Sequence, residues 1–340
     1  MSTLADALAE ERLLRILAYG PSKCRKTWWA GTAAEAGFNV ILICGEKPPS
    51  ILAQLSPQAQ ERITVVNVID ALDRPVMAEF VTLFYKGRKF NWDITSKRIA
   101  SVMLNEDHAH YQVDPSKLTS NDIVVIDTYG ALTWSVKSAI AIEKGIDLTD
   151  ARKTEWDFYQ YEGNFLNWFL NQGRQLQSHL IVVAHSTIYE KYEGRGSERK
   201  LVWSREQPQS SSNPHGMQVG KAFGDILYFN RNRAGTVKIN TAGTSDRDGG
   251  CENIPPGLFN WEDLQFKHVA EMTGILPPNP QDIPPQQAIV YHAPGELKPP
   301  ERKTVGGLLS QPPKETTRTL KTGEKPAALA FLNANTRKGA

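Results

Sequence analysis

Five short apolar runs, each closed by polar or small residues, set the frame of this chain. Ile16 to Tyr19 leads into Gly20, Phe38 to Cys44 into Gly45-Glu46, and Ile63 to Val68 into Ile69-Asp70. Ile123 to Ile126 ends at Asp127-Thr128, and Leu180 to Ala184 ends at His185-Ser186-Thr187. Runs this short and this continuously apolar are strands buried on both faces. Between the first two, Lys26 to about Glu35 reads as a helix stopped by Gly37. Strand–helix–strand alternation of this kind predicts an α/β fold: a mostly parallel sheet with helices on both faces.

Further elements follow from the same reading. Residues 4–14 form a short amphipathic helix, and Thr154 to Gln177 a long one with Trp156, Tyr159, Phe165, Leu166, Phe169 and Leu170 on its apolar face. Asp225–Asn230 and Thr236–Asn240 are two more strands, and Glu262–Met272 a short helix. Three regions lack such periodicity. Residues 70–120 read as an insert, with a basic-aromatic segment at Tyr85 to Trp92 that is either a solvated helix end or a nucleic-acid contact. Within it, Glu106 to His110 reads as a polar loop, because no partner cluster has metal-ligand spacing. Residues 188–216 read as a long polar loop, of the kind that is functional or mobile in a compact domain. Past residue 273 paired prolines punctuate a polar tail that cannot bury a core. The expected organisation is a core domain over 1–273 and a Pro-rich, disordered tail over 274–340, whose Ala327–Leu332 stretch is either a docking peptide or frayed chain.

Composition narrows the classes. A net charge of +2 excludes a uniformly basic nucleic-acid binder, so any such contact is local. The 3 cysteines, Cys24, Cys44 and Cys251, have no C-x-x-C spacing, which argues for a reducing compartment and against a zinc module. No run of about 18 apolar residues is present to span a membrane, and the first fifteen residues lack a basic-then-apolar leader. The expected location is the cytoplasm.

The chemistry is concentrated after the first strand. Gly20-Pro21-Ser22-Lys23-Cys24-Arg25-Lys26-Thr27 matches the phosphate-loop pattern G-x-x-x-x-G-K-[ST] except that Arg25 replaces the second glycine. Such a loop offers backbone N–H groups to a polyphosphate at a helix N-terminus. Lys26 would reach the β- and γ-phosphates of ATP and Thr27 would ligate Mg²⁺. Arg25 either crowds the nucleotide or places its own guanidinium on a phosphate. Asp127 ends the most apolar strand, at the strand end where open α/β sheets bind ligands. It either joins Thr27 at Mg²⁺, as a Walker B acid does, or caps the following helix. His185, at the tip of another strand, is either a γ-phosphate sensor or a structural histidine.

The order of these parts resembles the RecA-type ATPase core. It is most similar to the small phage-encoded AAA/RecA-like P-loop ATPases associated with single-strand annealing and recombination. Gly20 to Thr27, Ile41 to Glu46, Ile123 to Thr128 and Ile181 to Thr187 carry the match, over roughly residues 12–262. The resemblance implies a RecA-like P-loop NTPase that binds and hydrolyses ATP and acts on single-stranded DNA in recombination, annealing or replication, in the host cytoplasm. It implies that Glu46 orients the attacking water, where the residues alone equally allow a solvent-exposed loop acid, with Lys26 and His185 as the other catalytic groups. It assigns DNA contact to Lys191, Arg195, Arg199, Lys200 and Arg205, and makes Arg233 and Arg247 candidates for reaching the nucleotide of a neighbouring subunit in a homo-oligomer. A single-strand-binding or recombination partner would engage the tail. A P-loop pseudoenzyme with a structural or regulatory role, and a nucleic-acid motor, remain alternatives.

Overall fold

The computed structural model describes residues 13–46, 50–70, 75–89, 100–103, 110–145, 156–194, 199–210, 213–244, 247, 249–275, 277 and 279–292. The helix expected at residues 4–14 therefore lies almost wholly outside the described residues, as do most of Glu106 to His110, Arg195, and the chain from residue 293 on. Strand β1 (Arg15–Gly20) leads into helix α1 (Lys26–Glu35), strand β2 (Asn39–Cys44), the short helix α2 (Pro57–Glu61) and β3 (Ile63–Asn67). The insert contributes α3 (Val76–Lys89), β4 (Ala100–Met103) and β5 (His110–Val113). Then come β6 (Asp122–Asp127), α4 (Tyr129–Lys144), α5 (Trp156–Gly173), β7 (His179–Glu193) and β8 (Lys200–Pro208). The chain continues through α6 (Asn213–Val219), β9 (Asp225–Arg231), β10 (Val237–Asn240), β11 (Gly250–Cys251), β12 (Leu258–Asn260), α7 (Phe266–Thr273) and β13 (Ile289–His292).

The main sheet runs β12-β10-β9-β1-β7-β6-β2-β3. From β9 to β3 every neighbouring pair is parallel, whereas β10 and β12 extend the sheet antiparallel. Alternation along the strands divides the core in two. Ile16 and Ala18, Val40 and Leu42, Ile123 and Val125, Ile181 and Val183 face one side, with Trp28, Trp29 and Ala33 of α1 and Phe266 and Val269 of α7. Leu17 and Tyr19, Ile41 and Ile43, Val124 and Ile126, Val182 and Ala184 face the other, with Phe80 of α3, Leu132 and Val136 of α4, and Phe165 and Phe169 of α5. Both faces are thus covered, which is why these strands read as unbroken apolar runs. The fold class is the expected one.

Two expectations are corrected. Residues 188–193 and 200–208 are strands, not loop. The second half of β7 continues past the sheet and pairs antiparallel with β8 from Ser186↔Pro208 to Glu193↔Lys200, forming a long hairpin. Its strands were obscured because they alternate polar with exposed aromatic and aliphatic residues and bury little. Nor does the packed chain stop at 273. Asn39 Nδ2 donates to Pro284 O at 2.9 Å, Arg62 Nη2 donates to Pro280 O, and Gln286 Nε2 donates to Thr64 Oγ1 at 3.0 Å. Ala288 and Ile289 are buried, and β13 joins β5 antiparallel in a second, three-stranded sheet, β13-β5-β4. The prolines here allow a strap, opened by a single 3-10 turn at Pro280–Asp282, across the N-terminal ends of β2 and β3. Among the described residues no helix is long and apolar enough to cross a membrane.

Candidate functional site

The phosphate loop is shaped by backbone positions that little else tolerates. Gly20 has φ 149°, and a Cβ there would lie 2.0 Å from Phe229 O on β9. Lys23 and Arg25 both have φ 62°, in the left-handed region. That conformation costs a non-glycine residue roughly 1–2 kcal/mol. At Arg25, the N-cap of α1, part of this is offset outside the loop: its guanidinium stacks on Trp261 at 4.6 Å from the ring centroid. Such a contact contributes about 0.5–2 kcal/mol, the same size as the strain. The Arg25 side chain lies on an indole to the side of the loop.

Lys26 is buried and folds back over the loop, where its Nζ donates to Gly20 O at 2.8 Å and Pro21 O at 2.7 Å. Burial lowers its pKa to about 8, against smaller opposing effects of Cys24, Asp127 and Glu46. Pro21, Ser22 and Lys23 line the exposed side of the loop, while the Cys24 thiol is buried and its pKa raised by desolvation.

Next to Lys26, the Thr27 hydroxyl donates to Asp127 Oδ2 at 2.8 Å. The two residues are a hundred positions apart in sequence and are joined by the β1–β7–β6 order of the sheet. Burial raises the Asp127 pKa to about 6, partly countered by the Thr27 hydrogen bond and by Lys26, with Glu46 adding to the rise. Asp127 does not cap the following helix. Thr128 does, accepting from Ala131 N at 3.1 Å, which leaves the Asp127 carboxylate free to face Thr27. The peptide between Asp127 and Thr128 is cis. A hydroxyl beside a carboxylate is the hard-oxygen donor pair that suits Mg²⁺.

Glu46 follows β2 and is exposed; its Oε1 accepts from Thr128 Oγ1 at 3.5 Å. Gly45 holds this corner, because a Cβ there would come within 2.4 Å of Met77 Sδ and 2.7 Å of Ala131 Cβ. His185 sits across from Gly20 in the β1–β7 register. Its pKa is lowered, first by burial and then by the Lys26 cation, so the ring is neutral at pH 7. Its Nδ1 is buried with no hydrogen-bond partner among the described residues. A lysine resting on two loop carbonyls is a group that a terminal phosphate would satisfy. A polyphosphate with a divalent cation therefore fits the residues present. The sheet brings Lys26, Thr27, Glu46, Asp127 and His185 to one end of the parallel strands.

The remaining expected residues lie elsewhere. Lys191, Arg199, Lys200 and Arg205 are on the hairpin; Lys191 pairs with Glu193 at 3.2 Å and Arg199 stacks on Tyr192 at 4.2 Å. Arg233 is exposed in the turn between β9 and β10. Arg247 is held within the chain, with its Nε 3.5 Å from Glu206 Oε2 and its guanidinium 4.6 Å from the centre of the Tyr228 ring. The sequence reading missed Glu206, which also accepts from Ser186 Oγ and Tyr228 Oη at 2.6 Å each, at the root of the hairpin. It also missed Trp28 and Trp261; an aromatic directly after the loop's Thr27 was the available signal. A groove of about 490 Å³ between Glu35, Arg62, Pro280 and Pro285 lies at the opposite end of the strands and brings no such set of groups together.

No family model and no curated protein matches this chain. Among solved structures it is similar to one described as the RadB recombinase, at 14% identity and a TM-score of 0.35, covering 72% of this chain and 89% of that one. At that score the likeness carries no weight of its own, and the fold assignment rests on the strand order.

Proposed function

We propose that this chain is an ATP-binding, ATP-hydrolysing RecA-like protein that acts on single-stranded DNA in phage recombination, annealing or replication. The observation that carries the nucleotide part is the 2.8 Å contact between Thr27 of the loop and Asp127 of β6, with Lys26, Glu46 and His185 around it. A chance loop has no reason to aim its threonine at the buried acid of another strand.

In this reading the loop N–H groups bind the polyphosphate, and Lys26 leaves the Gly20 and Pro21 carbonyls to sit on the β- and γ-phosphates. Thr27 and Asp127 hold Mg²⁺, which neutralises phosphate charge when bound. Glu46, oriented by the Thr128 hydroxyl, positions the attacking water and accepts its proton. The neutral His185, opposite Gly20 of the loop, senses the terminal phosphate. The β7–β8 hairpin, whose first strand begins beside the loop, contacts single-stranded DNA with its cations and aromatic rings. A homo-oligomer on DNA, and a recombination partner for the C-terminal tail, complete the proposal.

The test is ATP hydrolysis by the purified protein with and without single-stranded DNA. The expected result is Mg²⁺-dependent turnover that DNA stimulates and Lys26→Ala abolishes. Nucleotide binding without turnover would leave a pseudoenzyme. Absence of nucleotide binding would remove the reading altogether.

A further inference from the structure

The groups that face a terminal phosphate all come from one side of β1. Asp127 ends β6, Glu46 follows β2 and His185 lies on β7, whereas β9, β10 and β12 lie on the other side. A triphosphate held by its far end at those groups leaves its nucleoside toward β9, β10 and β12. The antiparallel register of β9 with β10, and of β10 with β12, brings the end of β12 to the same edge of the sheet as Gly20. Trp261 follows at once, tied to β10 through its N–H to Val237 O at 3.3 Å. Trp28, one residue after Thr27, meets it edge to face with ring centroids 4.8 Å apart. Trp28 itself is nine-tenths buried, and its Nε1 donor has no partner among the described residues. The Arg25 guanidinium stacks on the Trp261 ring.

We infer that Trp261 is the stacking platform for the base of the bound nucleotide, and that Arg25 is its displaceable cover. The inference rests on the phosphate-loop reading above. A guanidinium and a nucleobase are both planar groups that stack on an indole face. The base offers the larger area, and the guanidinium hangs on a long side chain that can swing away. This gives a role to the one residue that departs from the phosphate-loop pattern: Arg25 shields the platform while no nucleotide is present. The ligand class is a nucleoside triphosphate recognised by the face of its base. Purines should rank above pyrimidines, because they stack over more area.

The experiment compares Mg²⁺-ATP with Mg²⁺-tripolyphosphate, which has the phosphates and no base. Binding is followed by calorimetry and by tryptophan fluorescence of the unaltered protein. ATP should quench the fluorescence and tripolyphosphate should not. Trp261→Ala should weaken ATP about tenfold and leave tripolyphosphate unchanged, with Trp261→Phe recovering most of the loss. Arg25→Ala should tighten ATP several-fold relative to tripolyphosphate. Equal quenching by the two ligands, or equal effects of Trp261→Ala on both, would overturn the platform while leaving the loop reading intact. Failure of the unaltered protein to bind either ligand would overturn both.

Discussion

Two side chains at the loop titrate in opposite senses, and each gives a measurable consequence. Asp127 has a pKa raised to about 6 from 3.8. Its folded form holds a proton more tightly than its unfolded form, so the stability it contributes is full below about pH 4 and is lost as pH rises through 6. At neutral pH the buried carboxylate therefore destabilises the nucleotide-free protein, by about 1–3 kcal/mol. Asp127→Asn should raise the melting temperature at pH 7.5, match the parent at pH 4, and abolish Mg²⁺-dependent tightening of nucleotide. Melting curves at the two pH values decide it; equal stability at both would mean the carboxylate is not desolvated. Lys26 runs the other way. With its pKa lowered to about 8 from 10.5, the folded chain holds fewer protons than the unfolded one between those values. Stability from this group rises with pH across that window. A triphosphate beside Lys26 restores the proton, so ATP binding at pH 8 should take up about half a proton. Calorimetry in two buffers of different ionisation enthalpy reads this directly, and no uptake would place the phosphates elsewhere. At this scale the sequence was partly legible. Gly20, Lys26 and Thr27 announce themselves by spacing, whereas the Arg25–Trp261 contact joins positions that no local pattern connects.

Among the elements, the parallel strands were legible because burial on both faces writes them as apolar runs. The hairpin was not, because strands that bury little carry no such run. Its composition also moderates the DNA expectation. Residues 188–208 hold five cations, Lys191, Arg195, Arg199, Lys200 and Arg205, against four acids, Glu190, Glu193, Glu198 and Glu206. So nearly balanced an element can neutralise few phosphates, and binding of single-stranded DNA should depend weakly on salt, with a log–log slope of about −0.7 to −2. Stacking then carries more of the affinity. Tyr189 and Trp203 meet edge to face at 5.4 Å on one face of the hairpin. Trp203→Ala should cost roughly 1–3 kcal/mol, and the joint change of Arg195, Arg199 and Lys200 to Ala should flatten the salt slope. Fluorescence anisotropy across a salt series distinguishes these outcomes. Unchanged affinity and slope in both variants would take the hairpin out of DNA binding.

For the whole molecule, the strap from Asn279 to His292 binds the far end of the sheet to the insert, and its prolines hid it among the tail. Pro280 packs so closely on Gly37 that a Cβ there would fall 2.2 Å from the proline's Cβ. A chain ending at Thr273 should therefore be less stable than one ending at His292, by about 2–5 kcal/mol for the lost apolar burial and hydrogen bonds. Urea unfolding of the two truncations measures the difference, and equal midpoints would make the strap a passenger. A last consequence concerns β7, one uninterrupted strand from His179 to Glu193 that is sheet at one end and hairpin at the other. From His185 to the tip it spans ~26 Å, at about 3.3 Å per residue, so a tilt of about five degrees at its root carries the tip about 2 Å. The strand is a lever with its fulcrum beside the phosphate loop, and a sub-ångström adjustment there arrives at the far end enlarged to the scale of an atomic contact.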